Sequence, residues 1–227
     1  MKFSVFNIQD KQSQPFVTIE HSHEHLSNNI HDIIIDHKAS LVGITSKDEL
    51  IVKFIKARSW HEYMKLLWNH SRVTKEVKGN KILSNLGLRV PRIAEVGLGV
   101  IPSHKYRFIG YYVMENLKKT GFQELSILIS NDSISDSIRE KIMFSIYSGL
   151  KSMRDDRIIF SDFHFENIFS NSEGEVIWID TGVSVYSKFN NKKFVKKFNQ
   201  SIKKYGSGNK LSHEEIIMFN SLSIQSN

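Results

Sequence analysis

Asp162 and Asn167 bracket a short loop between the apolar residues Phe160 and Ile168. A loop of that size can aim one carboxylate at a hydroxyl while the amide oxygen of the asparagine faces a metal ion. Asp180 follows at the end of the apolar run Val176-Ile177-Trp178-Ile179, directly before Thr181-Gly182. A carboxylate at a strand end ahead of a glycine turn is a good ligand for a hard cation such as Mg²⁺. Transfer of a phosphoryl group from ATP asks for these groups, and also for a lysine on the nucleotide phosphates with a carboxylate to hold it. The chain supplies each type in order, with Lys53 and Glu76 upstream. Taken singly, each has a plainer reading. Asp162 and Asn167 would suit a capped surface loop, Lys53 a solvated strand lysine, and Glu76 a helix charge beside Lys75 or Asn80.

The elements that must position these residues follow from hydrophobic periodicity. Strands are expected near Phe16–Ile19 and over Ile33–Asp36, Ser40–Thr45 and Leu50–Ile55, the last two joined by the hairpin-length link Ser46-Lys47-Asp48. In the last strand, Ile51, Lys53 and Ile55 share one face, and Leu50, Val52 and Phe54 the other. From Ser59 to Leu86 the pattern is helical. Ser71 is placed to cap its second half, Val73, Glu76, Asn80 and Leu83 form one stripe, and Gly87 and Pro91 stand where the helix should stop. A strand over Tyr111–Met114 leads into Glu115-Asn116-Leu117. A helix over Ser135–Met153 precedes Ile158-Ile159-Phe160, and a hairpin-like stretch runs from Asn171 to Ile179. The order predicts an α+β fold of two lobes with a hinge near Glu115: a polar lead-in at 1–30, a β-rich lobe at 31–115 and a mostly helical lobe at 116–227.

Composition narrows the chemistry. The 227 residues contain no cysteine, which excludes disulfides, zinc-thiolate sites and thiol catalysis. No run of apolar residues is long enough to cross a membrane, and the polar stretch Met1–Thr18 lacks the apolar core of a signal peptide. The net charge of +7 points to anionic partners. Lys188–Lys210 carries eight lysines and no acidic residue, with Val195, Phe198, Ile202 and Tyr205 on one helical stripe. The stripe is expected to pack on the second lobe, leaving the lysines to attract anionic lipid or glycan headgroups. The run Glu20-His21-Ser22-His23-Glu24-His25 has alternating histidines but no further ligand, and reads as a solvated segment. Net charge without a recognisable module gives no case for nucleic acid.

The stretch Phe160–Gly182 resembles the catalytic and metal-binding loops of protein-kinase-like phosphotransferases, where an Asp-x-x-x-x-Asn loop precedes an apolar strand ending in Asp-Phe-Gly. This chain has Asp180-Thr181-Gly182 there, and Phe160-Ser161-Asp162 in place of His-Arg-Asp. His164, two residues after Asp162, is similar to the Asp-x-His-x-x-Asn form of small-molecule and glycan kinases, and is expected to brace the loop. Lys53 in Ile51-Val52-Lys53 is similar to the phosphate-binding lysine of the third strand, and Glu76 to the helix glutamate that pairs with it. The run Ser71–Pro91, and Lys38–Val42 leading into Val52-Lys53-Phe54, look like lipopolysaccharide core kinases of the Kdo/WaaP and heptose-kinase type. The resemblance covers roughly residues 32–200. No Gly-x-Gly-x-x-Gly loop is present, so the turn at His37-Lys38-Ala39 would have to cover the phosphates.

The resemblance implies ATP and Mg²⁺ as cofactors. Asp162 would be the catalytic base, Asn167 and Asp180 the metal ligands, Lys53 and Glu76 the phosphate-binding pair, and the backbone at Met114, Glu115 and Leu117 the adenine contact. The short segment after Asp180 and the absence of Ala-Pro-Glu favour a sugar hydroxyl over a polypeptide as acceptor. The resemblance narrows it to a heptose or Kdo of the lipopolysaccharide inner core, met by a cytoplasmic enzyme at the inner membrane. The rival readings are a protein or small-molecule kinase of similar build, and a nucleotide-binding pseudokinase.

Overall fold

A computed structural model describes residues 2–8, 15–20, 29–45, 50–67, 71–99, 108–131, 133–160, 162–208 and 210–224. The fold is mixed α/β with mainly antiparallel sheets. The chain divides into two compact units, Met1–Val77 with Arg92–Asn116, and Lys78–Pro91 with Leu117–Asn227. The link Ser46-Lys47-Asp48 and the histidines from His21 to His25 lie outside the described residues.

The first unit holds β1 (Lys2–Ile8), β2 (Pro15–Glu20), β3 (Asn29–Asp36), β4 (Ser40–Thr45), β5 (Ile51–Lys56), α1 (Trp60–Leu67) and the first turns of α2 (Arg72–Asn85), then β6 (Ile93–Gly99) and β7 (Phe108–Met114). Its strands close into a barrel in the order β1-β2-β6-β7-β5-β4-β3, antiparallel except where β1 meets β3. Residues 1–30, read from sequence as a polar lead-in with one strand, thus contain two paired strands and the start of β3. The alternation Phe3, Val5 carries a strand period. The cue is short: β1 pairs with the next strand β2, and its other partner β3 is reached only by closing the barrel. The helical run from Ser59 is two helices, with Ser71 between them. The Ser71 hydroxyl accepts the Thr74 N–H at 3.2 Å, as expected of a cap at the start of α2.

Period-two alternation fills the barrel. Val52 and Phe54 of β5 pack with Ile30, Leu41, Phe108, Tyr111 and Val113, all buried. Ile55, on the opposite face, packs with Val73, Ile109 and Tyr112 under α2. α2 ends as its sequence predicts. Gly87 takes a φ of 77°, its N–H donates to the Ser84 carbonyl, and the Leu88 N–H donates to the Leu83 carbonyl at 3.1 Å. This double closure needs a left-handed residue, which glycine adopts without a Cβ clash.

The second unit continues with β8 (Gln123–Glu124), α3 (Leu125–Ser130), α4 (Asp136–Asp155), β9 (Ile158–Phe160), β10 (Ile168–Ser170), β11 (Val176–Trp178), β12 (Val183–Val185), α5 (Asn191–Gly208) and α6 (His213–Asn220). β11, β10 and β8 form one small antiparallel sheet, and β12 pairs with β9 in another. α4 starts at Ser135, whose side chain caps the Ile138 N–H, and buries Ile142, Ile146, Leu150 and Met153. Gly149 on this helix gives room to Trp178, whose ring would lie 2.9 Å from a Cβ there. The expected stripe of α5 is inside: Val195, Phe198, Ile202 and Tyr205 are buried, with Phe194 beside them. Among the described residues no helix is long and apolar enough to cross a membrane.

Candidate functional site

The first unit brings Lys53 and Glu76 together. β5 lies between β4 and β7, so Lys53 faces Val42 on one side and Tyr112 on the other in the strand register. Alternation puts Lys53 on the face of Ile55, toward the α2 packing, and leaves it only 8% exposed. One turn of α2 beyond the fully buried Val73, Glu76 meets it. Lys53 Nζ lies 3.4 Å from Glu76 Oε2, and the Tyr112 hydroxyl donates to the same oxygen at 2.6 Å. The ammonium also stands 5.9 Å from the centre of the Tyr112 ring. A nearly buried ammonium is tolerable only beside an anion, and the carboxylate needs its own donor. Lys56, the neighbouring lysine, pairs with Asp36 instead.

Sequence reasoning missed Tyr112. Its signal was cross-strand register, which a single sequence does not print. Met114 packs at the edge of the Ile55–Val73 cluster. The Glu115 N–H donates to the Arg92 carbonyl at 3.1 Å, and its carboxylate accepts the Arg92 N–H at 3.0 Å, so this backbone donor is already engaged. Leu117 belongs to the second unit, buried with Phe122 and Ile177.

The second unit builds the loop around Asp162. The aspartate side chain is 72% exposed, whereas Asn167 is buried. Asn167 Nδ2 donates to the Asp162 carbonyl at 2.8 Å and lies 3.1 Å from His164 Nε2. Because the amide nitrogen only donates, Nε2 of His164 accepts in this contact, which leaves Nδ1 as the other polar atom of the ring. That buried nitrogen has no hydrogen-bond partner among the described residues but sits 3.5 Å from a Glu166 carboxylate oxygen. His164 therefore braces the loop, as expected. With Nδ2 turned into the loop, Oδ1 is the Asn167 atom left to face a cation.

Aromatic packing holds the loop down. Phe163 stacks on Trp178 at 5.3 Å and on Tyr205 of α5 at 4.1 Å between ring centres. Burial pushes the Tyr205 hydroxyl well above the ordinary tyrosine range, reinforced by Glu215 and opposed by Arg139, so it stays neutral. Lys204, also on α5, brings Nζ to 3.9 Å from Asp162 Oδ1. Neither contact from α5 was foreseen, since both are non-local.

Asp180 is joined to this loop through the backbone, the Ile179 N–H donating to the Asn167 carbonyl at 3.0 Å. Asp180 itself has φ 50°, a left-handed conformation uncommon outside glycine and found where surrounding structure enforces it. The next turn is tight: Gly182 donates to the Asp180 carbonyl and Val183 to the Thr181 carbonyl, both at 2.7 Å. Gly79 of α2 packs directly on that turn, a role that nothing local to the helix announces.

Oxygen donors from Asn167 and Asp180 fit Mg²⁺, which takes one or two protein ligands and completes its shell with water and phosphate oxygens. Among the described residues no group of three or more His, Cys, Asp or Glu forms an all-protein cage. Chemically, the second unit offers an exposed carboxylate on the same loop as the Asn167 amide, with Asp180 tied to that loop through the Ile179 backbone, and the first a lysine held by a carboxylate. No protein-family model matches the chain, and no curated protein matches it significantly.

Proposed function

We propose that this chain is an ATP-dependent phosphotransferase with an alcohol acceptor, built as a reduced bilobal protein-kinase-like fold. The observation that carries the reading is the Lys53–Glu76 pair, 3.4 Å apart on β5 and α2, two residues expected from sequence to meet for nucleotide binding. Lys53, held by Glu76, grips the α- and β-phosphates. The backbone at Met114, Glu115 and Leu117 receives the adenine through groups other than the Glu115 N–H, which is held by Arg92. Asn167 and Asp180 hold Mg²⁺, which when bound neutralises charge on the phosphates. Asp162 orients the acceptor hydroxyl and takes its proton as the new oxygen–phosphorus bond forms and the bond to ADP breaks. His164 and Asn167 fix the loop so that little reorganisation is needed.

The acceptor we propose is a heptose or Kdo hydroxyl of the lipopolysaccharide inner core, phosphorylated at the cytoplasmic face of the inner membrane. The motif resemblance and the lysine-rich α5 support that choice. Mass spectrometry of core glycolipid from a deletion strain should show the loss of one phosphate, restored by the wild-type chain and not by Asp162→Ala. With purified protein, Asp162→Ala should abolish Mg²⁺-dependent transfer while ATP still binds. Full turnover by that variant would overturn the assignment.

A further inference from the structure

We propose that the outer face of α5, headed by Phe189, is a docking surface for an anionic lipid bilayer. α5 has two distinct faces. The inner one buries Phe194, Val195, Phe198, Ile202 and Tyr205. The outer one carries Lys192, Lys193, Lys196, Lys197, Lys203 and Lys204, every one exposed. Residues 181–213 contain no aspartate or glutamate to offset them.

Phe189 completes this face. It sits in the 3₁₀ turn Lys188–Asn190 that leads into α5, and it is 100% exposed. Counting on from Phe189 by three, four and seven residues reaches Lys192, Lys193 and Lys196, so helical spacing puts the ring at the head of the lysine row. A large ring held in water beside lysines is the composition of an interfacial anchor. The ring enters the boundary between headgroups and acyl chains, and the ammonium groups meet anionic headgroups. Arg154, Arg157 and Lys188 line a hollow next to this turn with Asp155 and Asn191, Arg154 being already paired with Asp155. A single ring at one end of the row, without interleaved aromatics along it, suits lipid better than stacked bases.

The row ends at the candidate base. Lys204, about 22 Å along the helix from Phe189 at the usual rise per residue, reaches to 3.9 Å from Asp162 Oδ1. A bilayer on this face would present the headgroup of a membrane-borne acceptor along the row toward Asp162. That consequence rests on the phosphotransfer reading; the docking itself does not.

Sedimentation of the full chain with vesicles tests the surface. Binding is expected to a phosphatidylcholine–phosphatidylglycerol mixture and not to phosphatidylcholine alone, falling as salt rises. Phe189→Ser should weaken it about tenfold, and Lys192→Gln, Lys193→Gln and Lys196→Gln together on the order of a hundredfold, with thermal unfolding unchanged because these side chains are exposed. Equal binding to neutral vesicles, or affinity unmoved by either variant, would overturn the proposal. So would an RNA oligonucleotide that binds more tightly than the vesicles and is indifferent to Phe189. Asp162→Ala should leave vesicle binding intact, which separates failure of the docking surface from failure of the phosphotransfer reading.

Discussion

Gly79 lies so close to Thr181 that a Cβ on residue 79 would sit 1.6 Å from the Thr181 carbonyl oxygen. A glycine inside a helix ordinarily costs about 0.5–1 kcal/mol relative to alanine, so the helix would normally gain from Gly79→Ala. Here the helix must shift or the turn after Asp180 must open. The expected result is a loss of about 1–3 kcal/mol from overpacking, read as a lower Tm. The nucleotide-dependent rise in Tm should fall with it, because the turn carries Asp180.

Removing Lys53 strips Glu76 of its cation and the proposed site of its phosphate contact. Lys53→Met should weaken ATP binding on the order of tenfold or more, as expected for hydrogen bonds to charged groups, measured as a reduced ATP-induced Tm shift. Tyr112→Phe removes only the hydroxyl that donates to Glu76. It should cost about 1 kcal/mol in stability and leave most of the nucleotide response in place. A Lys53→Met chain with wild-type ATP affinity would remove that lysine from the mechanism.

Asn167 has two separable duties. Asn167→Ala loses the bonds to the Asp162 carbonyl and His164 as well as the candidate metal oxygen. Asn167→Asp keeps an oxygen ligand but loses the donor that holds the loop. Titration with Mg²⁺ in the presence of ATP should show a large loss of metal response for the alanine variant and a smaller one for the aspartate. Both should lose stability, by about 1–2 kcal/mol.

Arg139 and Glu215 set an acid-side dependence of stability. Burial alone would push the Glu215 carboxyl up, but the Arg139 hydrogen bonds, the Ser212 N–H and the Arg139 charge outweigh it and hold the group below its ordinary value. The two contacts are 2.7 and 2.8 Å long. A carboxyl lowered in the folded state stabilises above its unfolded pKa, and that contribution is lost as pH falls through the folded one. Arg139→Met should therefore lower Tm by at least about 2–4 °C near neutral pH, and the gap from wild type should close as the buffer is made acidic. A gap independent of pH would point to packing instead.

Local rules read the chain well wherever the cause is local. The cap at Ser71, the stop at Gly87, the alternation through Val52, Lys53 and Phe54, and the buried stripe of α5 all follow from residues within a few positions of one another. The misses have a common cause, which is pairing across sequence distance. β6 was not foreseen because glycines at 97 and 99 lower strand propensity. Gly97 lies under the Tyr111 ring of β7, which would meet a Cβ at 2.0 Å, so the strand needs a glycine there despite its low strand propensity. Tyr112 at Glu76, Lys204 at Asp162 and Gly79 at Thr181 belong to the same class. Asp162, Asn167 and Asp180 were legible as types and spacing, whereas the left-handed backbone of Asp180 was not.

The stack of Phe163 between Trp178 and Tyr205 also makes the catalytic-loop candidate optically visible. Trp178 is 2% exposed and Trp60 is 70% exposed, so iodide in solution quenches the second and spares the first. With Trp68 replaced by phenylalanine, what remains is blue-shifted emission from a ring in direct contact with the residue next to Asp162. The protein thus carries its own reporter of whether that loop is seated, readable without a label.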